Sequence, residues 1–189
     1  MKMQIILAGV GGQGILFSSK IFSELGLKLG LDVMGSETHG MSQRGGSVIA
    51  HLKLGKFQSP LIRAGAADIL YSLEENETYR TLKFLRRGGV CFINLVDVDR
   101  FDKRILKYLE EKEITFRAYD ASSVASKIGS ILAANIVLIG YSLGTGLVPF
   151  EYEDLRYVLE LVSRKKNLKI NLKAFELGVQ AGKLSNNDI

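Results

Sequence analysis

With 189 residues, 47% hydrophobic and 24% charged, the chain has the size and composition of a globular protein and not of a disordered tail. Its one cysteine, Cys91, excludes an intrachain disulfide and a four-cysteine zinc or iron–sulfur site within the chain. The net charge of +5 is mild and comes with no nucleic-acid motif, which argues against a nucleic-acid partner.

Residues 3–8 read as a buried strand, Gly9–Gly14 as a tight loop and 13–29 as a helix. That helix has Ile15, Phe22, Leu25 and Leu29 near one face, and Gly30 stops it. The N-terminal apolar run enters its glycine turn at once and lacks the apolar length and cleavage site of a signal peptide. A second strand at 32–36 leads into a loop of small and polar residues, Glu37–Gly46. Over Ser47–Leu54 the period of two predicts a half-exposed strand, with Ser47, Ile49, His51 and Lys53 on the outer side. A strand at 68–72, a helix at 74–85, a strand at 90–95, a helix at 102–111 and a strand at 114–118 follow. Cys91 lies in the apolar run Val90–Ile93 and reads as a small core residue. Helices are expected over 122–143, 151–166 and 170–182. Arg86–Arg87 and Arg164–Lys165–Lys166 then fall at helix ends, where cations complement the dipole.

The stretch from Ile128 to Phe150 has no charged residue and is long enough to span a bilayer. It also holds Ser130, Asn135, Ser142, Thr145 and several glycines, so a buried helix ending at a glycine turn explains it better. A soluble, cytoplasmic chain without a membrane segment is expected. Strands alternating with helices predict an α/β fold, a single three-layer Rossmann-like domain over 1–189 with a mostly parallel sheet.

Gly9-Val10-Gly11-Gly12-Gln13-Gly14 has the spacing G-x-G-x-x-G between a strand and a helix. Such glycines permit positive φ and close approach, and leave amide N–H groups at a positive helix terminus. One reading is a dinucleotide site with Glu37 as the ribose-binding acid. Glu37 comes later than the usual ~20 residues after the fingerprint, and the chain then runs through a glycine-rich loop straight into a strand instead of crossing over. A tight turn that binds nothing is the competing reading. Ser36-Glu37-Thr38-His39-Gly40-Met41-Ser42-Gln43-Arg44-Gly45-Gly46 packs hydrogen-bond donors and a guanidinium between glycines, which suits an anion, a phosphate or an acidic edge of a partner. In an open α/β sheet, loops beyond the carboxyl ends of neighbouring strands converge, so the two segments are expected side by side.

G-V-G-G-Q-G followed by H-G-M-S-Q-R-G-G resembles the gamma-type subunits of 2-oxoacid:ferredoxin oxidoreductases, and within them the beta subunits of indolepyruvate ferredoxin oxidoreductases. The likeness extends along nearly the whole chain, including Asn-Leu-Lys-Ala-Phe-Glu-Leu-Gly at 171–178. It implies oxidative decarboxylation of arylpyruvates to acyl-coenzyme A, with electrons passed to ferredoxin in anaerobic metabolism. Pyruvate-, 2-ketoisovalerate- and 2-oxoglutarate-type enzymes are the neighbouring alternatives, and a free-standing nucleotide-binding protein or an interaction module the more distant ones. The resemblance places thiamine diphosphate and [4Fe–4S] clusters on a larger partner subunit, with coenzyme A as co-substrate. This chain would then be inactive alone and would complete the holoenzyme and wall the substrate or coenzyme A channel. Isolated copies could pair with themselves.

No catalytic residue is assigned. The candidate ligand- or interface-binding residues are Gly9, Gly11, Gly12, Gln13, Gly14, His39, Ser42, Gln43, Arg44, Gly45 and Gly46, and no metal ligands are expected. Arg44 leads, as a bidentate partner for a phosphate or carboxylate. His39 has an acid–base alternative, and Gln13 either orients a ligand or caps the helix. His51 reads as an exposed strand residue and Asn135 as a polar helix contact needing a partner if buried. Asp97 and Asp99 read as turn formers. Lys20 and Glu24 have the spacing of a surface pair.

Overall fold

The computed structural model describes residues 1–40, 45–97, 99 and 101–185, with His39 described by its backbone alone. β1 (Met3–Val10), α1 (Ile15–Lys28), β2 (Val33–His39), β3 (Ser47–Leu54) and β4 (Ala67–Ser72) form the first half. α2 (Glu75–Thr81), β5 (Leu85–Asn94), α3 (Lys103–Glu111), β6 (Thr115–Tyr119), α4 (Ala121–Lys127), α5 (Ala134–Gly144), α6 (Tyr152–Val162) and α7 (Lys165–Ser185) complete it.

The fold is α/β, as expected. Six strands pair in the order β2-β3-β1-β4-β5-β6. β3 is antiparallel to both of its neighbours, while β1, β4, β5 and β6 pair in parallel. Both faces of the sheet are covered, so the central strands are apolar on both sides. Ile5 and Leu7 point into a core shared with α1, α4, α5, α6 and α7, whereas Ile6 and Ala8 join a second core with Leu82, Phe101 and Leu109. Cys91 is fully buried there, and burial pushes its thiol up to about 12.

Several local expectations need correction. The loop expected from Glu37 is strand as far as His39, because the open edge of β3 supplies backbone partners from Leu54 to Val48. The outer side of β3 is not exposed: His51 and Lys53 are 6% and 7% accessible. Chain following β3 folds back over them. Ile62 N donates to His51 Nδ1 at 3.1 Å, the His51 ring meets Phe84 edge-on at 5.1 Å, and Lys53 Nζ lies 5.1 Å from the centre of the Phe57 ring. Desolvation, with Lys53 alongside, holds the His51 pKa below its ordinary 6.5.

The helix expected over 122–143 is two helices and a short 3-10 turn, Ile131–Ala133. Gly129 at φ 83° ends α4, with Gly129 N donating to Ser126 O and Ser130 N to Ala125 O, each at 2.9 Å. Arg86 and Arg87 lie at the start of β5, not at a helix end, and pair with Asp68 and Glu113. Arg164–Lys165–Lys166 opens α7 instead of closing a helix, and no acidic residue stands in that first turn. The break comes at Ser163, an extended residue whose Oγ accepts from Asn171 Nδ2 at 2.9 Å.

α5 and α7 pack backbone to backbone. Gly140 and Gly144 of α5 face Gly178 and Gly182 of α7, and a Cβ on any of them would overlap a carbonyl oxygen of the other helix. Tyr71 OH hydrogen-bonds to Ser142 Oγ at 2.8 Å beneath that pair, tying α5 to the sheet. Among the described residues no helix is long and apolar enough to cross a membrane.

Candidate functional site

The carboxyl end of β1 delivers the first glycine segment to the top of the sheet. Gln13 closes the turn: Val10 N donates to its Oε1 at 2.9 Å, and its own N–H reaches Val10 O at 3.1 Å. Gln13 Nε2 then donates to Leu73 O at 3.4 Å and to Glu74 Oε2 at 3.2 Å, joining the ends of β1 and β4. Both ends of the Gln13 amide are therefore engaged within the chain.

Gly12 at φ 100° and Gly14 at φ 79° occupy the left-handed region. Gly11 does not, and a Cβ there would meet its nearest neighbour, Gly45 N, only at 3.6 Å. α1 begins without a side-chain cap and without an acidic residue in its first turn. Its leading N–H groups are left to whatever acceptor the crevice receives.

The second glycine segment comes to the same place from the β2–β3 connection. Gly40 N donates to Ser47 O at 2.8 Å, closing the hairpin, and Gly11 N donates to Gly46 O at 2.9 Å. The two segments expected to lie side by side are directly hydrogen-bonded. Ser47 Oγ donates to Glu77 Oε2 at 2.6 Å, and Arg80 holds the other oxygen of this buried carboxylate at 3.0 Å. Glu77 was invisible as a site residue because an acid in the first turn of a helix ordinarily reads as a solvated dipole partner.

Gly9, Gly11, Gly12, Gln13, Gly14, Gly45 and Gly46 are thus brought together. His39 is the last residue of β2, its backbone paired opposite Val48. Its side chain, and Ser42, Gln43 and Arg44, lie outside the described residues. Glu37 pairs opposite Ala50, which is opposite Leu7 on its other side. All of β3 therefore stands between Glu37 and the strand that carries the glycine turn. In a dinucleotide fold the acid ends the strand next to β1, and that place is here taken by β3.

Asn135, 3% accessible in the first turn of α5, reaches the crevice from below. Its Nδ2 donates to Gly14 O and Ser18 Oγ, both at 3.0 Å, while its Oδ1 has no partner. A Cβ on Gly14 would stand 2.6 Å from that Nδ2. Asp97 Oδ1 accepts from Asp99 N at 3.1 Å in a turn, and among the described residues no three His, Cys, Asp or Glu side chains gather as metal ligands. The described part of the crevice offers N–H groups, close backbone approach and carboxylates that are already paired. That is equipment for holding and positioning a group, not a nucleophile with its base.

Residues 4–181 match the family described as pyruvate ferredoxin/flavodoxin oxidoreductase, and the chain belongs to that family. It is 36% identical to the indolepyruvate oxidoreductase subunit IorB of Archaeoglobus fulgidus, with 94% of each chain covered. To the same-named subunit of Pyrococcus horikoshii it is 35% identical, with 96% of each covered. The gamma subunit of a keto/oxoacid ferredoxin oxidoreductase from Geobacter sulfurreducens has the same fold, with a TM-score of 0.75 at 22% identity over 96% of this chain and 99% of that one.

Proposed function

We propose that this chain is the small, gamma-type subunit of an indolepyruvate-type 2-oxoacid:ferredoxin oxidoreductase, built as one domain and working in the cytoplasm. In the overall reaction the bond between the carboxyl carbon and the keto carbon breaks, carbon dioxide leaves, and the acyl group forms a thioester with coenzyme A. The electron pair passes to ferredoxin. Full-length likeness to two indolepyruvate oxidoreductase subunits supports the substrate class.

A four-cysteine iron–sulfur cluster does not fit this chain, whose one cysteine is buried in the second core, so the clusters are assigned to the larger subunit, and thiamine diphosphate is placed there with them by the family resemblance. The role of this chain is positional. The observation that carries the assignment is the Gly11–Gly46 hydrogen bond, which locks both glycine segments beside the uncapped start of α1. A negatively charged group, a phosphate of coenzyme A or a carboxylate of the partner, would be held there by main-chain N–H groups, and the side chains of Arg44, Ser42, Gln43 and His39 remain the candidates the sequence offers for the same group.

The test is reconstitution with the co-expressed large subunit under anoxic conditions, supplying indolepyruvate, phenylpyruvate, pyruvate and 2-oxoglutarate in turn with coenzyme A and a viologen acceptor. Activity should require both chains and favour the aryl substrates. A large subunit fully active alone would overturn the subunit reading, and a preference for pyruvate or 2-oxoglutarate would move the chain to a neighbouring member of the family.

A further inference from the structure

A cleft of about 560 Å³ opens between the start of α1, the turn before α5 and the junction of α6 with α7. The charged residues lining it are Lys20 and Arg164, both cations, and no carboxylate lines it. Neither forms an ion pair within the described residues, so Lys20 does not make the surface pair its spacing to Glu24 suggested. Lys165 and Lys166 follow Arg164 into the first turn of α7. Cations there oppose the positive end of the helix dipole, an arrangement that burdens the free chain and is relieved when an anion arrives.

The same cleft is apolar at its rim. Leu16 and Leu132, which line it, are 48% and 70% accessible, and the adjacent Ile131 is 71% accessible. Asn135 and Asn171 also line it, polar groups at the foot of the apolar rim. Inorganic phosphate would satisfy the cations, yet it leaves the apolar rim bare. A peptide segment meets both demands, with carboxylates for Lys20 and Arg164 and apolar side chains for the rim.

We propose that this cleft is the docking site for a segment of the larger subunit that carries carboxylates beside apolar side chains. The proposal rests on the reading of the chain as a subunit. Because Gly12 and Gly14 belong to the cleft wall, docking would also steady the glycine turn that opens the crevice.

The experiment measures the dissociation constant of the full chain for the co-expressed large subunit at two salt concentrations. Lys20→Glu combined with Arg164→Glu is compared with the control Lys107→Glu on α3, against the other face of the sheet. Wild-type affinity should fall with salt, and the double variant should bind about 30-fold more weakly. The control should bind like wild type, and thermal melts should confirm that both variants fold. Unchanged affinity in the double variant overturns the proposal. Normal assembly together with lost binding of inorganic pyrophosphate also overturns it, making the cleft a small-anion site. If the wild-type chain itself fails to bind the large subunit, the subunit reading falls, and the docking proposal with it.

Discussion

Gly14 and Asn135 are separated by 121 residues and held together by a hydrogen bond from Nδ2 to Gly14 O. Gly14 has a positive φ and no room for a Cβ. Gly14→Ala should therefore lose about 2 kcal/mol in urea denaturation, from left-handed strain and the collision with Asn135. Part of that loss should disappear in an Asn135→Ala background, since the collision is removed; strictly additive losses would mean the two residues do not touch. Gly11→Ala should change stability by less than about 0.5 kcal/mol, because a Cβ there makes only ordinary van der Waals contact and φ is not positive. His51 supports a second residue-scale prediction. Its folded pKa lies below 6.5, so the unfolded chain binds more protons as pH drops below that value. The stability it contributes is present above pH 6.5 and is lost as pH falls toward the lowered folded value, at no more than about 1.4 kcal/mol per pH unit. Urea midpoints between pH 7.5 and 5.5 should fall less steeply in His51→Gln than in wild type, and equal slopes would remove His51 from the account.

At the scale of elements, the glycine pairs of α5 and α7 oppose local propensity. An alanine at Gly178 should favour the helix by about 1 kcal/mol on propensity alone. Its Cβ would overlap Val137 O, and moving apart two helices in backbone contact costs more. Gly178→Ala should destabilise by about 3 kcal/mol, and a raised melting temperature would show that the helices part easily. The uncharged stretch containing Gly140 and Gly144 was legible as buried helix from its composition, but not as half of a close helix pair. Its partner glycines lie 38 residues further on in each case, in a segment whose own pattern is that of an ordinary amphipathic helix. The basic run at 164–166 was likewise assigned to the wrong end of a helix, because no glycine or proline marks the break at Ser163.

At the scale of the whole molecule, the layered fold brings glycine segments from two connections to one end of the sheet and leaves Arg44 on the second of them. Arg44→Ala should leave the melting temperature unchanged, since an arginine in a glycine-rich polar segment seldom carries the core. In the reconstituted complex it should weaken assembly or coenzyme A use by about 2 kcal/mol, and unchanged assembly with unchanged kinetics would take Arg44 out of the site. The crevice was legible because the first glycine segment follows an apolar strand run and the second precedes a strand with a clear period of two. Glu77 and Asn135 were not legible as parts of it, since one looks like a helix-start acid and the other like a stray amide.

By itself the sequence determined the alternation of strands and helices, the strand at Ser47–Leu54, the glycine turn into α1 and the family, because each is written in neighbouring residues or short motifs. The tertiary structure alone decided that β3 enters antiparallel between β2 and β1, that His51 and Lys53 are covered, and that Gly11 bonds Gly46. It also decided which glycines touch across two helices and which cations share a cleft. The physical reason is that a strand's period shows only that one side differs from the other. What covers each side is set by chain that folds back over it, here Phe57 and Ile62 from just beyond β3 and Phe84 from further on, and that packing is selected by burial and hydrogen bonding in the assembled core.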